Sequence, residues 1–137
     1  MCGIAGQINF DNEPVMPQRV AAMGASLRHR GPDDAGVYVH GSVGLAHQRL
    51  SILDLSSAGH QPMSNEDGTI WIVFNGEIYN FEELRDRLCD RHTFRSRTDT
   101  EVIVHLYEEF GLDCVAMLRG MFAIAIYDKI KNELFVW

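Results

Sequence analysis

A cysteine follows the initiator methionine directly, in Met1-Cys2-Gly3-Ile4-Ala5-Gly6. A small residue at the second position permits removal of the methionine, which would leave Cys2 with a free α-amine. Such an amine titrates at ~7.7–8.0, so it can hold or release a proton near neutral pH. A thiol beside its own amine is a nucleophile with a base built in. On the dipeptide alone, a small buried residue is the commoner explanation. Other residues share this ambiguity. Asn75-Gly76 is a favoured turn pair. Arg49 reads as a surface arginine near a strand end, Glu77 as an acid in a solvated turn, and Asp99 as a helix N-terminal acid that the helix dipole favours.

The elements that would position these residues follow from periodicity and turn chemistry. Residues 2–10 alternate small and apolar side chains and read as a buried strand. Pro17 suits the first turn of a helix running to about Arg28, with Val20, Met23 and Leu27 on one face and Gly31-Pro32 as its stop. Residues 35–39 and 43–50 read as strands joined by a tight turn at His40-Gly41-Ser42. After a loop over 56–68, residues 69–75 form a strand that Asn75-Gly76 ends sharply, and Asn80 with Glu83 caps a helix to Leu88. Thr98-x-x-Glu101 is a capping box opening a helix with an apolar face of Val102, Ile103, Leu106, Tyr107 and Phe110, stopped by Gly111. A short helical turn is expected around 114–118. Residues 121–128 are apolar on both faces, as a central covered strand would be, and residues 133–137 begin another strand. Grouped strands with helices between the groups indicate an α+β fold with antiparallel sheets.

Composition narrows the function classes. The chain has 137 residues, 46% hydrophobic and 23% charged, which is an ordinary globular mix. Its 12 basic and 19 acidic residues give a net charge of −7, a poor match to nucleic-acid phosphates or an anionic membrane. No apolar run approaches the ~20 residues of a membrane span, and no secretory leader is expected. Three cysteines, Cys2, Cys89 and Cys114, stand at unrelated spacings. That argues against a disulfide framework and for a cytoplasmic protein. His40, His47, His60, His92 and His105 show no metal-ligand spacing, and no metal is expected.

Six ordered segments resemble the class II glutamine amidotransferases: Met1-Cys2-Gly3-Ile4-Ala5-Gly6, Arg28-His29-Arg30-Gly31-Pro32-Asp33, residues 46–52 (Ala-His-Gln-Arg-Leu-Ser-Ile), residues 74–80 (Phe-Asn-Gly-Glu-Ile-Tyr-Asn), Thr98-Asp99-Thr100-Glu101-Val102, and Gly120-Met121-Phe122-Ala123. Within that group the match looks most like the glutaminase domain of asparagine synthetases. The resemblance implies the αββα four-layer sandwich of N-terminal nucleophile hydrolases. It implies that Cys2 attacks the glutamine side-chain amide, and that the Asn75 side chain and Gly76 backbone N–H form the oxyanion hole. It also implies that Arg49 holds the substrate α-carboxylate, while Glu77 and Asp99 hold its α-ammonium. His29, Arg30 and Asp33 are expected only to order their loop.

The family domain continues beyond the segments present here, so residues 1–137 are expected to be a glutaminase domain cut short at its C-terminal end. The synthetase domain, with its need for ATP and Mg, is expected elsewhere in a full-length protein, and no cofactor is expected in this chain. The expected partners are glutamine and that synthetase domain, with homodimerisation open. An exposed apolar strand near Phe135 and Trp137, with poor solubility, is also expected. Two alternatives stand: an amidotransferase serving another acceptor, and a non-catalytic fragment that binds glutamine.

Overall fold

The computed structural model describes residues 1–52 and 54–137. The first sheet is built from β1 (Gly3–Ile8), β2 (Asp34–His40) and β3 (Val43–Arg49), in the order β1-β3-β2 and antiparallel throughout. Between β1 and β2 lies α1 (Pro17–Ser26), which begins with proline at its first turn, where the missing N–H costs nothing. This helix packs on one face of the sheet, burying Val20 against Val15 and Ala46. Gly44 leaves the space that Val15 and Val20 fill, since a Cβ there would collide with both.

The second sheet contains β4 (Met63–Ser64), β5 (Ile70–Ile78), β6 (Gly120–Asp128) and β7 (Glu133–Val136), again antiparallel and in that order. Helices α2 (Phe81–Leu88) and α3 (Asp99–Phe110) cover its outer face. There Ile72, Phe74, Ile78, Ile124 and Ile126 meet Leu84, Leu88, Val102, Ile103 and Leu106 in one core. Each fully buried aliphatic side chain contributes roughly 1.5–3 kcal/mol. The inner face alternates with the outer one along each strand. Val73, Ala125 and Tyr127 of this sheet pack against Val43 and Leu45 of the other. Tyr38 and Trp71 stack across the gap with ring centroids 3.8 Å apart. The layer order is therefore α1, sheet, sheet, α2 with α3: the αββα sandwich.

Four local expectations are revised. The pair Asn75-Gly76 does not end its strand: β5 runs on to Ile78, because β6 pairs along its whole length down to Gly120 opposite Ile78. Asn80 makes no capping bond; its side chain instead donates to the Met117 carbonyl and accepts from the Arg119 amide, joining the ends of the long β5–β6 connection. Thr98 does cap α3, accepting from the Glu101 amide at 3.3 Å. The Glu101 carboxylate reaches past it to the amides of Arg95 and Ser96, since the Ser96 hydroxyl already accepts from the Thr98 amide. Finally, Phe135 and Trp137 are half-buried, not exposed. They point to the α3 side, where Phe135 lies 5.9 Å from the Tyr107 ring, and the exposed apolar residue of β7 is Val136.

A buried hydrogen bond joins the two sheets. His47 is 1% exposed, and its Nε2 lies 3.0 Å from the Phe74 carbonyl oxygen. A carbonyl only accepts, so Nε2 carries the proton. Burial is the main reason that the imidazole pKa falls to about 4, outweighing the opposing pull of that carbonyl. An unfolded chain takes up this proton near pH 6.5 and the native one only near 4, so stability is lost as pH falls across that interval. The interval costs on the order of 3 kcal/mol. Denaturant unfolding between pH 7 and 4 is expected to show a falling stability that flattens by about this amount in His47→Gln, whose amide keeps the donor.

Candidate functional site

Strand parity brings the candidate residues together. Cys2 lies two residues before Ile4, and Arg49 two residues after His47, so both face the second sheet. Asn75 and Glu77 share the face of Val73, so they look back toward the first sheet. Asp99, the first residue of α3, closes the end. Cys2, Arg49, Asn75, Gly76, Glu77 and Asp99 all line one cleft at the end of the inter-sheet space.

The cleft wall contains an unpaired stretch of strand. β4 pairs only with Trp71 and Ile72, leaving the rest of that β5 edge without a strand neighbour. Along a strand, alternate amides point the same way. The Phe74 amide donates to Gln61 Oε1 at 2.7 Å, and the Ile78 amide donates to Asp99 Oδ2 at 3.0 Å. The Gly76 amide lies between them and points the same way, with no acceptor among the described residues. Gly76 cannot carry a side chain, because a Cβ would collide with the Met121 carbonyl and with Phe122. Beside it, Asn75 Oδ1 is buried without a partner among the described residues, and the donor of this side chain is Nδ2. A backbone amide and a side-chain amide at this edge can serve a developing negative charge on a bound oxygen. A strand edge, not the expected turn, exposes that donor.

Arg49 is 7% exposed and held from behind. Its Nη1 donates to the Ser56 carbonyl at 2.9 Å, and its Nη2 donates to the Asp54 carbonyl. Gly59 lies flush on the guanidinium, with no room for a Cβ. The Asp54 carboxylate fixes this loop by accepting from the amides of Ser56 and Arg97. The Ser56 hydroxyl and these two amides pull its pKa down to about 2. Across the cleft, burial pushes the Asp99 carboxyl above the usual carboxylate range despite the Ile78 and Thr100 amides, and the charge on Glu77 adds to the rise. A cationic fork thus faces two acids, an arrangement able to hold a zwitterion by both ends.

Cys2 sits where β1 begins. Its Sγ accepts from the Leu50 amide at 3.4 Å, and the Arg30 guanidinium donates to the Cys2 carbonyl at 2.9 Å. Arg30 was expected only to order its loop; it also holds the residue that carries the thiol. Asp33 does order the loop, accepting from the Ser51 amide at 2.8 Å. Gln61, which bridges Phe74 and the Thr100 hydroxyl, and Gly59 were not legible as site residues. Neither belongs to a local pattern, and each acts through a neighbour distant in sequence.

The whole chain, residues 1–137, matches the family model described as a glutamine amidotransferase domain, and the chain belongs to that family. It is 49% identical over 137 residues to asparagine synthetase [glutamine-hydrolyzing] 1 of Arabidopsis thaliana, covering 99% of this chain and 23% of that protein. It is 47% identical over 139 residues to asparagine synthetase [glutamine-hydrolyzing] 2 of Bacillus subtilis, covering 99% of this chain and 18% of the relative. The chain therefore spans a quarter or less of the length of these relatives. Among solved structures, the glutamine phosphoribosylpyrophosphate amidotransferase of B. subtilis superposes with a TM-score of 0.76 at 21% identity, over 94% of this chain and 35% of that one. That likeness establishes the shared fold.

Replacing Arg30 with alanine leaves the Cys2 carbonyl without its donor. Hydrogen exchange followed by mass spectrometry is expected to show faster exchange at the start of β1 in Arg30→Ala, with the amides of β6 unchanged. Equal protection of β1 in both proteins would show that Arg30 does not hold Cys2.

Proposed function

We propose that the cleft hydrolyses the side-chain amide of glutamine to glutamate and ammonia, with Cys2 as nucleophile. The observation that carries this reading is the free Gly76 amide beside Asn75, facing a cleft that also holds the thiol, a buried arginine and two acids. With Met1 attached, the Cys2 nitrogen is an amide and has no basic lone pair. Removal of Met1, which lines the same cleft, creates the base and opens the site.

In this reading Arg49 takes the α-carboxylate of glutamine, and Glu77 with Asp99 takes the α-ammonium. The Cys2 thiol gives its proton to the Cys2 amine, and the thiolate adds to the amide carbon. The oxyanion so formed accepts hydrogen bonds from the Asn75 side-chain N–H and the Gly76 backbone N–H. The protonated amine then delivers the proton to the departing nitrogen, ammonia leaves, and a thioester remains. Water, deprotonated by the same amine, adds to the thioester carbon. Collapse returns the proton to sulfur and releases glutamate.

The names of the relatives support a destination for the ammonia: an ATP-dependent domain of asparagine-synthetase type in the full-length protein. In this reading ATP and Mg belong to that domain, and residues 1–137 are the glutaminase part.

Ammonia release from glutamine, measured beside the intact mass of the N-terminus, tests the reading. Activity is expected only in protein lacking Met1 and is expected to vanish in Cys2→Ala. Asn75→Ala is expected to lower kcat by about 10²–10³ with little change in KM. Gly59→Ala, which pushes on the Arg49 fork, is expected to raise KM by about tenfold or more, the worth of a charge-assisted hydrogen bond. Persistent ammonia release in Cys2→Ala would overturn the mechanism. Tight glutamine binding without release, in protein lacking Met1, would favour a binding role instead.

A further inference from the structure

A second constellation lies on the opposite side of the second sheet from the cleft, and the amidotransferase reading gives it no task. Glu66 lies in the β4–β5 turn, His92 in the loop after α2, and His105 and Glu108 on α3. Each offers one ligand atom, and those atoms lie within 4.8 Å of one another. His105 Nδ1 is 2.7 Å from Glu108 Oε2 and 3.7 Å from Glu66 Oε2. His92 Nδ1 is 3.5 Å from Glu108 Oε2 and 3.9 Å from Glu66 Oε1. A tetrahedral zinc ion with bonds of about 2.0–2.1 Å holds its ligand atoms roughly 3.3 Å apart. With Oε2 as the Glu66 ligand atom and Oε1 held by the Thr93 amide, the His105–Glu66 and His92–Glu108 separations need to shrink slightly and the His105–Glu108 one to open.

We propose that Glu66, His92, His105 and Glu108 form a structural site for a divalent transition-metal ion of the zinc class. Three further features support it. First, the far side of most of these groups is already held. Glu109 Oε1 sits 3.0 Å from His92 Nε2, the Asn65 amide donates to Glu108 Oε1 at 2.8 Å, and the Thr93 amide donates to Glu66 Oε1 at 3.2 Å. Outer carboxylate and amide partners of this kind fix ligand orientation in metal sites. Second, the two carboxylates have no permanently charged partner. Arg91 pairs with Glu109, but among the described residues no lysine or arginine pairs with Glu66 or Glu108. A dication supplies what is missing. Third, His105 is 1% exposed and turns its Nδ1 to the carboxylates, 2.7 Å from Glu108 Oε2, where an ion would replace the proton shared with that oxygen, while its Nε2 has no partner among the described residues. Two imidazoles with two carboxylates suit zinc, and four protein ligands leave no open position, as in structural sites. The ion would tie the β4–β5 turn and the α2–α3 loop to the helix whose first residue, Asp99, closes the cleft.

The test uses the tag-free chain after chelator treatment, with zinc chloride or cobalt(II) chloride alone as probe. Equilibrium dialysis is expected to give one saturable zinc per chain, and zinc is expected to raise the melting temperature. The cobalt form is expected to show visible bands of a tetrahedral nitrogen–oxygen site without the near-ultraviolet bands of a thiolate ligand. Glu109→Gln, which alters only an outer partner, is expected to weaken zinc binding by about 10–100-fold. Glu66→Gln is expected to weaken it at least as much; Glu66 is exposed and Glu109 half-buried at the surface, so neither change disturbs the core. Absence of saturable binding, affinity unchanged in both variants, or a thiolate-type cobalt spectrum pointing to Cys2 or Cys89 would each overturn the proposal.

Discussion

The molecule turns on an unfinished strand edge. Beyond Ile72, one side of β5 has no strand beside it among the described residues. A buried amide left unpaired costs about 1–3 kcal/mol, so the fold must supply acceptors there or keep the edge wet. It supplies two. Gln61 takes the Phe74 amide and Asp99 takes the Ile78 amide. Gly76, midway between them, has no acceptor among the described residues and is left as a donor at the back of the cleft. Gln61 is itself anchored on Thr100, so both acceptors depend on the N-terminal turn of α3. The capping of α3 by Thr98, and the grip of Glu101 on the preceding loop, are therefore part of the site's architecture and not only of the helix's stability.

The opposite wall is electrostatic. Arg49 is a buried cation held from behind by the carbonyls of Asp54 and Ser56, in a loop that the Asp54 carboxylate holds in shape. Backbone carbonyls orient the guanidinium without neutralising it. Asp99 and Glu77 stand across the cleft, and burial makes ionised Asp99 costly until a cation arrives. A free amino acid brings a carboxylate for one wall and an ammonium for the other. The cleft is thus arranged for a small zwitterion before any contact with its side chain is considered.

Much of this was legible in the sequence. The strand readings over 43–50 and 69–75 located the facing strands, Thr98-x-x-Glu101 located α3, and four of the motifs contain Cys2, Arg49, Asn75, Gly76, Glu77 and Asp99, which the fold brings to one cleft. The misreadings share one cause. Asn75-Gly76 has the local chemistry of a turn, yet β6 pairing carries it through as strand. Asn80 has the chemistry of a cap, yet its side chain is claimed by the Arg119 amide and the Met117 carbonyl. In both, a partner some forty residues away outweighed local preference. His92 and His105 stand 13 residues apart, with no motif between them, and their rings stack at 4.3 Å only because the loop after α2 folds back onto α3. Gln61 and Gly59 gave no signal, since what each does depends on residues it meets only in the folded chain.

The central claim is that glutamine lies in this cleft with its amide at the Gly76 edge and its amino-acid end between Arg49 and the acids. A crystal structure of the Cys2→Ala protein, lacking Met1 and soaked with glutamine, tests it most directly. The amide oxygen is expected within hydrogen-bond distance of the Gly76 N–H and the Asn75 side chain, with the α-carboxylate on the Arg49 fork. Glutamine bound in the reverse sense, or bound elsewhere with the Gly76 amide still facing water, would contradict it.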